Sequence, residues 1–318
     1  MSSAPEGEKP ADKPTAAGWI AEHISSQVRR TVVVTGANSG LGLETARALG
    51  GLGATVIMTA RDVDRGERAL AELLAEQPGA KLELRQLDLG DLDSVRRFAD
   101  GVEELDVLVN NAGVMMPPHG RTAQGHELQF GVNHLGHFAL TGLLLDKLAQ
   151  AEEDPRVVTV SSGLHKRGRI HFDDLHGEHG YSRSKYYAQS KLANVVFGLE
   201  LNRRLRANGL PIKSVLAHPG YAATNLQSTG PTGVGKLLLK VTTRLAAQDA
   251  AMGALPQLYA ATGADVESGQ FWGPDGRGES KGFPTLVEPL DAARDRELAK
   301  RLWDVSEQLT GVRIPLQP

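Results

Sequence analysis

Short apolar runs alternate along the chain with longer segments in which apolar residues recur every three or four positions. Runs such as Val32-Val33-Val34 and Val107-Leu108-Val109 are typical of strands that are covered on both faces of a sheet. The pattern predicts strands over residues 31–34, 54–59, 81–87, 105–109, 156–160 and 212–217, and a short seventh strand over 270–272. It predicts helices over residues 41–49, 63–76, 91–98, 126–150 and 184–206.

The order of these elements predicts the architecture. Strand–helix–strand units give parallel strands that are joined by right-handed crossovers. We therefore expect one doubly wound, Rossmann-type α/β domain, with a mostly parallel sheet of about seven strands and helices on both faces. No linker or internal repeat divides the chain, so the domain is predicted over 19–318. Residues 1–18 are rich in Ala, Pro, Glu and Lys and are predicted to form a disordered tail.

Composition excludes several classes of function. The chain has 318 residues and a formal net charge of -3, which gives no basis for binding nucleic acid. It contains no cysteine, which excludes disulfides, thiolate zinc sites and cysteine nucleophiles. No apolar run approaches the roughly 18 residues that a membrane-spanning helix needs. We expect a cytoplasmic protein with a small-molecule substrate, no metal site and no membrane span.

A glycine-rich turn follows the first predicted strand. It consists of Thr35-Gly36-Ala37-Asn38-Ser39-Gly40-Leu41-Gly42 and leads directly into a predicted helix. Glycines let the main chain approach a pyrophosphate closely, and the amides at a helix N-terminus bind its charge. The spacing is Gly-x-x-x-Gly-x-Gly, which differs from the general dinucleotide fingerprint. We interpret the turn as a dinucleotide-phosphate site; the alternative is a strand–helix turn that binds no ligand.

The end of the second predicted strand bears on the choice of cofactor. An enzyme that uses NAD places an acidic residue there, about 20 residues after the glycines. This chain has Arg61, followed by Asp62. A guanidinium can hold a 2′-phosphate, so Arg61 favours NADP (as NADPH for reduction) over NAD. Asp62 leaves NAD open, because it can either cap the next helix or bind the ribose itself.

Two copies of a Tyr-x-x-x-Lys pattern lie close together. Tyr187 and Lys191 fall within the helix predicted over 184–206, where residues four apart share one face. A phenol beside an ammonium can act as a general acid or base, because the positive charge favours phenolate. Tyr181 and Lys185 have the same spacing but lie before the helix or in its first turn. Apolar residues after Tyr187 anchor that copy against the sheet. We therefore assign the site to Tyr187 and place Tyr181 at the surface or the pocket mouth.

Taken in chain order, the motifs resemble the classical short-chain dehydrogenase/reductase family over about residues 31–312. Besides the glycine turn and the Tyr187–Lys191 pair, the resemblance rests on Asp88-Leu89, Asn110-Asn111-Ala112-Gly113, Asn133, Ser161-Ser162, and Pro219-Gly220 with Thr224. Within the family the chain is similar to the retinol-dehydrogenase-like branch. That similarity rests on Asn133-His134-Leu135-Gly136-His137-Phe138, Ile170-His171-Phe172-Asp173-Asp174-Leu175 and Ser190-Lys191-Leu192-Ala193-Asn194-Val195.

The resemblance implies an NADP-dependent oxidoreductase that interconverts an alcohol and its carbonyl by hydride transfer, with Tyr187 as general acid/base. It implies that Lys191 helps to lower the pKa of Tyr187 and binds the nicotinamide ribose. Ser162 would hold the substrate oxygen, and Asn133 would hold a water on a proton path to Lys191. The implied cofactor-binding residues are Gly36, Asn38, Ser39, Gly40, Leu41, Gly42, Arg61, Asp88, Leu89, Asn111, Ala112, Gly113, Tyr187, Lys191, Pro219, Gly220 and Thr224.

Two other segments bear on substrate and partners. Residues 225–250 correspond to the family's substrate lid, and their apolar positions suggest a lipophilic substrate; packing on the core or on a second copy in a homo-oligomer is the alternative. An insert over 165–183 separates Ser162 from Tyr187. Its histidines are expected to be solvated rather than to bind a metal: His165, His171, His176 and His179.

The competing hypothesis for function is a non-catalytic dinucleotide sensor or scaffold on the same fold. Such a protein should have lost Ser162, Tyr187 or Lys191, and this chain keeps all three. A nucleotide-sugar epimerase or dehydratase would use the same three residues. Those chains usually begin the turn with Gly-x-x-Gly-x-x-Gly, which this sequence lacks.

Overall fold

The computed structural model describes residues 15–221 and 249–317. Its strands are β1 (Thr31–Val34), β2 (Thr55–Ala60), β3 (Lys81–Gln86), β4 (Val107–Asn110), β5 (Arg156–Val160), β6 (Lys213–Ala217), β7 (Phe271–Pro274) and β8 (Pro284–Leu286). Its helices are α1 (Ala16–His23), α2 (Gly40–Gly51), α3 (Val63–Glu76), α4 (Leu92–Asp100), α5 (Leu128–Phe130), α6 (Gly136–Ala149), α7 (Arg183–Ala207), α8 (Ala250–Thr262) and α9 (Arg296–Thr310). None of these helices is long and apolar enough to cross a membrane.

The strands form one sheet in the order β3-β2-β1-β4-β5-β6-β7-β8. Strands β1 to β7 pair in parallel, and β8 pairs with β7 in the antiparallel sense. The predicted doubly wound α/β fold is confirmed, with one strand more than the seven that the apolar runs indicated. Strand β8 has three residues and begins with a proline, which is tolerated at a sheet edge. Its pairing with β7 defines it, so a search for apolar runs overlooks it.

Alternate residues of the strands face opposite sides of the sheet and build two cores. Val33 belongs to the core that is completed by α4, α6, α7 and α9. Val32 and Val34 belong to the other core, with α1, α2 and α8. Both faces of the central strands are therefore buried, which explains why these strands are apolar at every position.

Helix α1 begins inside the stretch 1–18 that was predicted as a tail. The Thr15 hydroxyl caps it by accepting a hydrogen bond from the Gly18 amide at 3.2 Å. Trp19 is buried and packs against Tyr259 of α8 and against Phe283. The folded domain therefore starts before residue 19, and residues 1–14 lie outside the described part of the chain.

The helix predicted over 126–150 is interrupted. It begins at Leu128, where the buried Glu127 carboxylate accepts hydrogen bonds from the amides of Gln129 and Phe130 at 2.9 and 2.7 Å. A π-helical stretch, Gly131–Leu135, then joins α5 to α6. Such stretches are frequent at functional sites, because they displace a side chain or a carbonyl from the regular helical ladder. Asn133 lies at the centre of this one.

Parallel pairing brings the carboxyl ends of β1 to β7 to one edge of the sheet. The chain runs outward in opposite directions from the neighbouring strands β1 and β4, and ligands of doubly wound sheets bind at this crossover point. The loops after β1 to β6 carry most of the residues that the motifs singled out. They therefore converge at this edge.

Candidate active site

The glycine turn after β1 fits a phosphate ligand. Gly36 has a φ of 65°, and a Cβ on it would lie 2.9 Å from the Ala112 Cβ. A Cβ on Gly42 would clash with the Gly36 carbonyl oxygen. Helix α2 begins at Gly40, and the Ser39 hydroxyl makes no capping bond to it. The first amides of α2 therefore receive no cap from Ser39, which suits an anion site at a helix N-terminus.

Three polar side chains support the turn from below. The Thr35 hydroxyl accepts hydrogen bonds from the amides of Asn111 and Ala112, both at 2.9 Å. The Asn111 side chain donates to the Thr35 carbonyl at 2.8 Å. Gln257 of α8 donates to the Asn111 side-chain oxygen at 3.1 Å. The loops after β1 and β4 are thus fixed to each other. Sequence reasoning missed Gln257, which no local motif marks.

Arg61 and Asp62 follow β2 and have different environments. Asp62 caps α3 by accepting from the Arg65 amide at 3.1 Å and also pairs with the Arg65 side chain at 3.3 Å. Arg61 is exposed, and its guanidinium has no ion-pair partner within the described ranges 15–221 and 249–317. The cap is the first of the two roles that the sequence left open for Asp62.

Asp88 and Leu89 follow β3. The Asp88 carboxylate accepts from the Gly90 amide at 2.8 Å, which fixes the turn into α4. Leu89 is buried, and a Cβ on Gly136 would lie 2.5 Å from its carbonyl oxygen. Asp88 is half-buried at the edge predicted to receive the adenine, while the Leu89 side chain packs into the core.

The structure brings Ser162, Tyr187 and Lys191 together. Tyr187 and Lys191 are both buried on α7, and the Lys191 Nζ lies 5.9 Å from the centroid of the Tyr187 ring. Ser162 follows β5, and its hydroxyl is near enough to the Tyr187 phenol to favour the ionised form of that phenol. The Lys191 ammonium donates to the Val160 carbonyl at 3.2 Å. A Cβ on Gly113 would lie 3.6 Å from the same Nζ, so the loop after β4 closes over the lysine.

Burial is the main cause of the pKa shifts of Tyr187 and Lys191. It raises the pKa of Tyr187 to about 12, against the opposing effect of the hydrogen bond with Ser162. Burial also lowers the pKa of Lys191 to about 8. The low pKa that we expected for Tyr187 is therefore not produced by the protein's own groups, because desolvation of the phenolate outweighs the stabilising effect of the Ser162 hydroxyl.

The side-chain amide of Asn133 fixes the loop after β4. Its oxygen accepts from the Val114 amide at 2.8 Å, and its nitrogen donates to the Val114 carbonyl at 3.0 Å and to the Ser190 hydroxyl at 2.9 Å. The main-chain carbonyl oxygen of Asn133 accepts a hydrogen bond from His137 Nδ1 at 3.0 Å. Both amide protons are thus used, and the predicted water could be held only by the remaining lone pair of the side-chain oxygen or of the main-chain carbonyl oxygen.

His137 belongs to the segment that carries the retinol-dehydrogenase-like resemblance, but the motif indicates no role for it. Its Nε2 lies 2.9 Å from the Thr35 hydroxyl, so its ring connects the glycine turn to the Asn133 carbonyl. Burial lowers the pKa of His137 to about 4, which keeps the ring neutral. A neutral ring that donates from Nδ1 can accept at Nε2, as this pair of contacts requires.

Comparison with known proteins agrees with this geometry. The family model described as short chain dehydrogenase matches residues 30–233. Human retinol dehydrogenase 12 is 42% identical over 293 residues, covering 89% of this chain and 87% of that protein. Human retinol dehydrogenase 14 is 42% identical over 306 residues, with 89% and 87% covered. The crystal structure of an uncharacterized protein from Mycobacterium paratuberculosis has a TM-score of 0.78 and 46% identity, covering 95% of this chain and 99% of that one.

The chain belongs to the short-chain dehydrogenase family. It is an NAD(P)-dependent oxidoreductase that acts on CH–OH groups. The predicted similarity to the retinol-dehydrogenase-like branch is confirmed. A complex of Pseudomonas aeruginosa RhlG with NADP, at 22% identity and a TM-score of 0.60, shares its fold.

In this dehydrogenase Tyr181 has hydrogen-bond partners that give it a structural role. Tyr181 lies before α7, where its hydroxyl accepts from the Gln129 side chain at 2.8 Å and donates to the Pro117 carbonyl at 3.2 Å. Gln129 also accepts from the Met116 amide at 2.8 Å. Tyr181 therefore ties the loop after β4 to the start of α7. Lys185 lies exposed in the first turn of α7.

The loop after β6 contains the other predicted cofactor residues of the dehydrogenase. Gly220 has a φ of 65°, and a Cβ on it would lie 2.5 Å from the Ser280 carbonyl oxygen. Its amide donates to His218 Nδ1 at 3.2 Å. Pro219 precedes it in the same turn. Thr224 lies outside the described residues, as does most of the predicted lid over 225–250.

The histidines of the insert over 165–183 are not all solvated, as they were expected to be. His165 is completely buried: its Nδ1 donates to the Ser162 carbonyl at 2.7 Å, and its Nε2 accepts from the Leu290 amide at 3.3 Å. His179 is exposed, whereas His171 and His176 are half-buried. No group of three or more His, Cys, Asp or Glu suited to a metal occurs in the described part of the chain.

Proposed function

We propose that the protein is an NADP-preferring oxidoreductase that interconverts an alcohol and its carbonyl, with Tyr187 as the general acid and base. The observation that supports this most directly is that the half-buried Ser162 lies near the buried pair Tyr187 and Lys191 at the carboxyl edge of the sheet. A phenol in contact with a hydroxyl and close to a cation can hold a substrate oxygen and exchange a proton with it.

The residues divide the work as follows. The Ser162 hydroxyl donates to the substrate oxygen and holds it against the Tyr187 phenol. With a pKa of about 12, Tyr187 carries its proton at neutral pH and is ready to donate it to a carbonyl oxygen in the reductive direction. Lys191 titrates at about 8, so it carries a positive charge beside the phenol below that pH. Asn133 fixes the Val114 backbone and, through Gly113, the wall over Lys191.

The chain's residues fit a nicotinamide dinucleotide. When bound, the cofactor supplies or accepts the hydride. The uncapped start of α2 and the turn over Gly36, Asn38 and Ser39 would hold the pyrophosphate. Lys191 would hold the nicotinamide ribose and Asp88 the adenosine end. The remaining residues of this proposed site are Gly40, Leu41, Gly42, Leu89, Asn111, Ala112, Gly113, Tyr187, Pro219, Gly220 and Thr224.

The preference for NADP rests on Arg61. Its exposed guanidinium faces no carboxylate in the described residues, and Asp62 is committed to capping α3. Replacing Arg61 by Ala should raise the KM for NADPH about tenfold while changing the KM for NADH little, since a charge-assisted pair contributes about 1.5 kcal/mol or more. Arg65→Ala is the matched control, because Arg65 is exposed and already pairs with Asp62. An equal rise for both cofactors would contradict this role of Arg61.

The substrate class is proposed from the relatives. Those relatives bear the name retinol dehydrogenase, which favours a lipophilic alcohol or aldehyde for this chain too. The test is purified protein with NADPH or NADH and a panel of aldehydes, ketones, retinoids and steroids, followed by nicotinamide absorbance. We expect turnover with NADPH and a preference for apolar carbonyls. Binding of both cofactors without turnover of any substrate would instead favour a dinucleotide sensor.

A further inference from the structure

A group of ionisable side chains outside the proposed catalytic set joins two loops of the site. We call it the Glu279 bridge, and it consists of Glu279, Lys166 and His218. Glu279 lies in a turn after β7, and one of its carboxylate oxygens accepts from the Lys166 Nζ at 2.6 Å. The other oxygen lies 3.1 Å from His218 Nε2. A single carboxylate therefore contacts the loop after β5 and the loop after β6.

Lys166 belongs to the turn that begins with Ser162. This 3-10 turn, Gly163–Arg167, has Ser162 as its N-cap, and the Ser162 hydroxyl accepts from the Leu164 amide at 3.3 Å. His165 in the same turn donates to the Ser162 carbonyl. The position of Lys166 is thus coupled to that of the hydroxyl proposed to hold the substrate oxygen.

His218 belongs to the loop proposed to hold the cofactor. Its side chain is fully buried, and its Nδ1 accepts from the Gly220 amide at 3.2 Å. A ring that accepts at Nδ1 has its proton on Nε2 when it is neutral, and Nε2 faces Glu279. Next to it, the Tyr221 amide donates to the Ser280 carbonyl at 2.8 Å. The Glu279 turn therefore fixes the Gly220 turn through a side chain and through the main chain.

The backbone of Glu279 shows that its position is held by its surroundings. Glu279 has a φ of 54°, a left-handed conformation that residues other than glycine rarely adopt. The hydrogen bond from His218, followed by the contact with Lys166, lowers the pKa of Glu279 to about 2. The carboxylate is therefore ionised at any working pH and can hold both partners at once.

We propose that Glu279 is a positioning residue that sets the distance between the Ser162 turn and the Gly220 turn. This inference rests on the proposed function, in which the first turn holds the substrate oxygen and the second holds the cofactor. Hydride transfer needs donor and acceptor in close alignment, and a misplacement of about 1 Å can cost on the order of a hundredfold in rate. Glu279 would act on catalysis only through these two loops.

The test compares Glu279→Ala and Glu279→Gln with the wild type in kcat, in KM for NADPH and in thermal denaturation. We expect Glu279→Ala to lower kcat/KM at least tenfold, through both constants, because both loops lose their anchor. Glu279→Gln should recover part of the KM, since its amide oxygen can still accept from His218. Glu83→Gln is the matched control: Glu83 pairs with Arg85 at 2.6 Å on the edge strand β3.

A double-mutant cycle adds a second readout. Lys166→Met should lower kcat on its own, yet add little in the Glu279→Ala background, because both changes remove the same contact. Lys166 is 43% exposed, so its replacement leaves the fold intact even if Glu279→Ala does not fold. If the folded variants, Lys166→Met among them, lose only thermal stability and keep kcat and KM, the positioning role is wrong. If the wild type turns over no alcohol or carbonyl, the proposed function fails instead.

Discussion

Tyr187 with Lys191 and Tyr181 with Lys185 have the same spacing, but the fold gives the two pairs different environments. Tyr187 and Lys191 lie on one face of α7 and retain only 4% and 3% of their accessible surface. Tyr181 precedes the helix, and Lys185 is exposed in its first turn. Burial raises the pKa of both tyrosines to about 12, but only in the first pair is the lysine buried as well, and there burial lowers the pKa of Lys191 to about 8. Spacing alone therefore does not make an acid–base pair, and the burial against β5 distinguishes the two copies.

The largest expected effect is on turnover. Tyr187→Phe removes the proposed proton donor, and general acid–base groups contribute about 10²- to 10⁴-fold, so kcat should fall about a thousandfold. Tyr181→Phe keeps the proton donor and should change kcat by less than about threefold. Steady-state kinetics with NADPH and the best carbonyl substrate measures both. The reverse order of the two effects would transfer the acid–base role to Tyr181.

The two lysines should differ in how stability depends on pH. Burial lowers the pKa of Lys191 from 10.5 to about 8, so between these values the unfolded chain binds more protons than the native protein. The free energy of unfolding of the wild type should therefore rise with pH across this window, by about 3 kcal/mol more than that of Lys191→Met. Urea denaturation at pH 7.5, 9 and about 10.5 measures the difference.

Lys185→Met serves as the control for this comparison. Lys185 is exposed, so this variant should follow the pH dependence of the wild type. If Lys191→Met also ran parallel to the wild type, Lys191 would not be desolvated in the folded protein.

The smallest expected effect concerns the hydroxyl of Tyr181. Tyr181→Phe removes the hydrogen bonds to Gln129 and Pro117 and leaves a buried Gln129 donor with one partner fewer. The free energy of unfolding should fall by about 1–2 kcal/mol. Tyr221→Phe is the control, because Tyr221 is 41% exposed. Equal stability of both variants would mean that the Tyr181 contacts do not fasten the loop after β4 to α7.

Local patterns predicted much of the fold. The strand predicted over 156–160 is β5, and the helix predicted over 63–76 is α3. Helix α9 was not predicted, although Leu298, Leu302 and Val305 recur at a helical period and could have revealed it. Strand β8 could not be predicted in this way, since its three residues are defined by pairing with β7.

Part of the candidate site could also be predicted from local motifs, and part could not. Ser162, Tyr187 and Lys191 follow from the order of motifs along the chain, and the structure brings them together at the carboxyl edge. The contact between His218 and Glu279 joins residues 61 positions apart, and neither residue belongs to a local motif. The commitment of the Asn133 amide to Val114 is likewise a property of the folded π-helical stretch.

The sequence by itself determined the class of fold, the glycine turn and the residue types of the proposed acid–base pair, because period, glycine spacing and i,i+4 geometry are local properties. The tertiary structure decided which tyrosine is buried together with its lysine, how Asp62 is used and which side chains fix the site loops to one another. Those outcomes depend on burial and on partners that are distant in the chain, since desolvation and hydrogen bonding act through space.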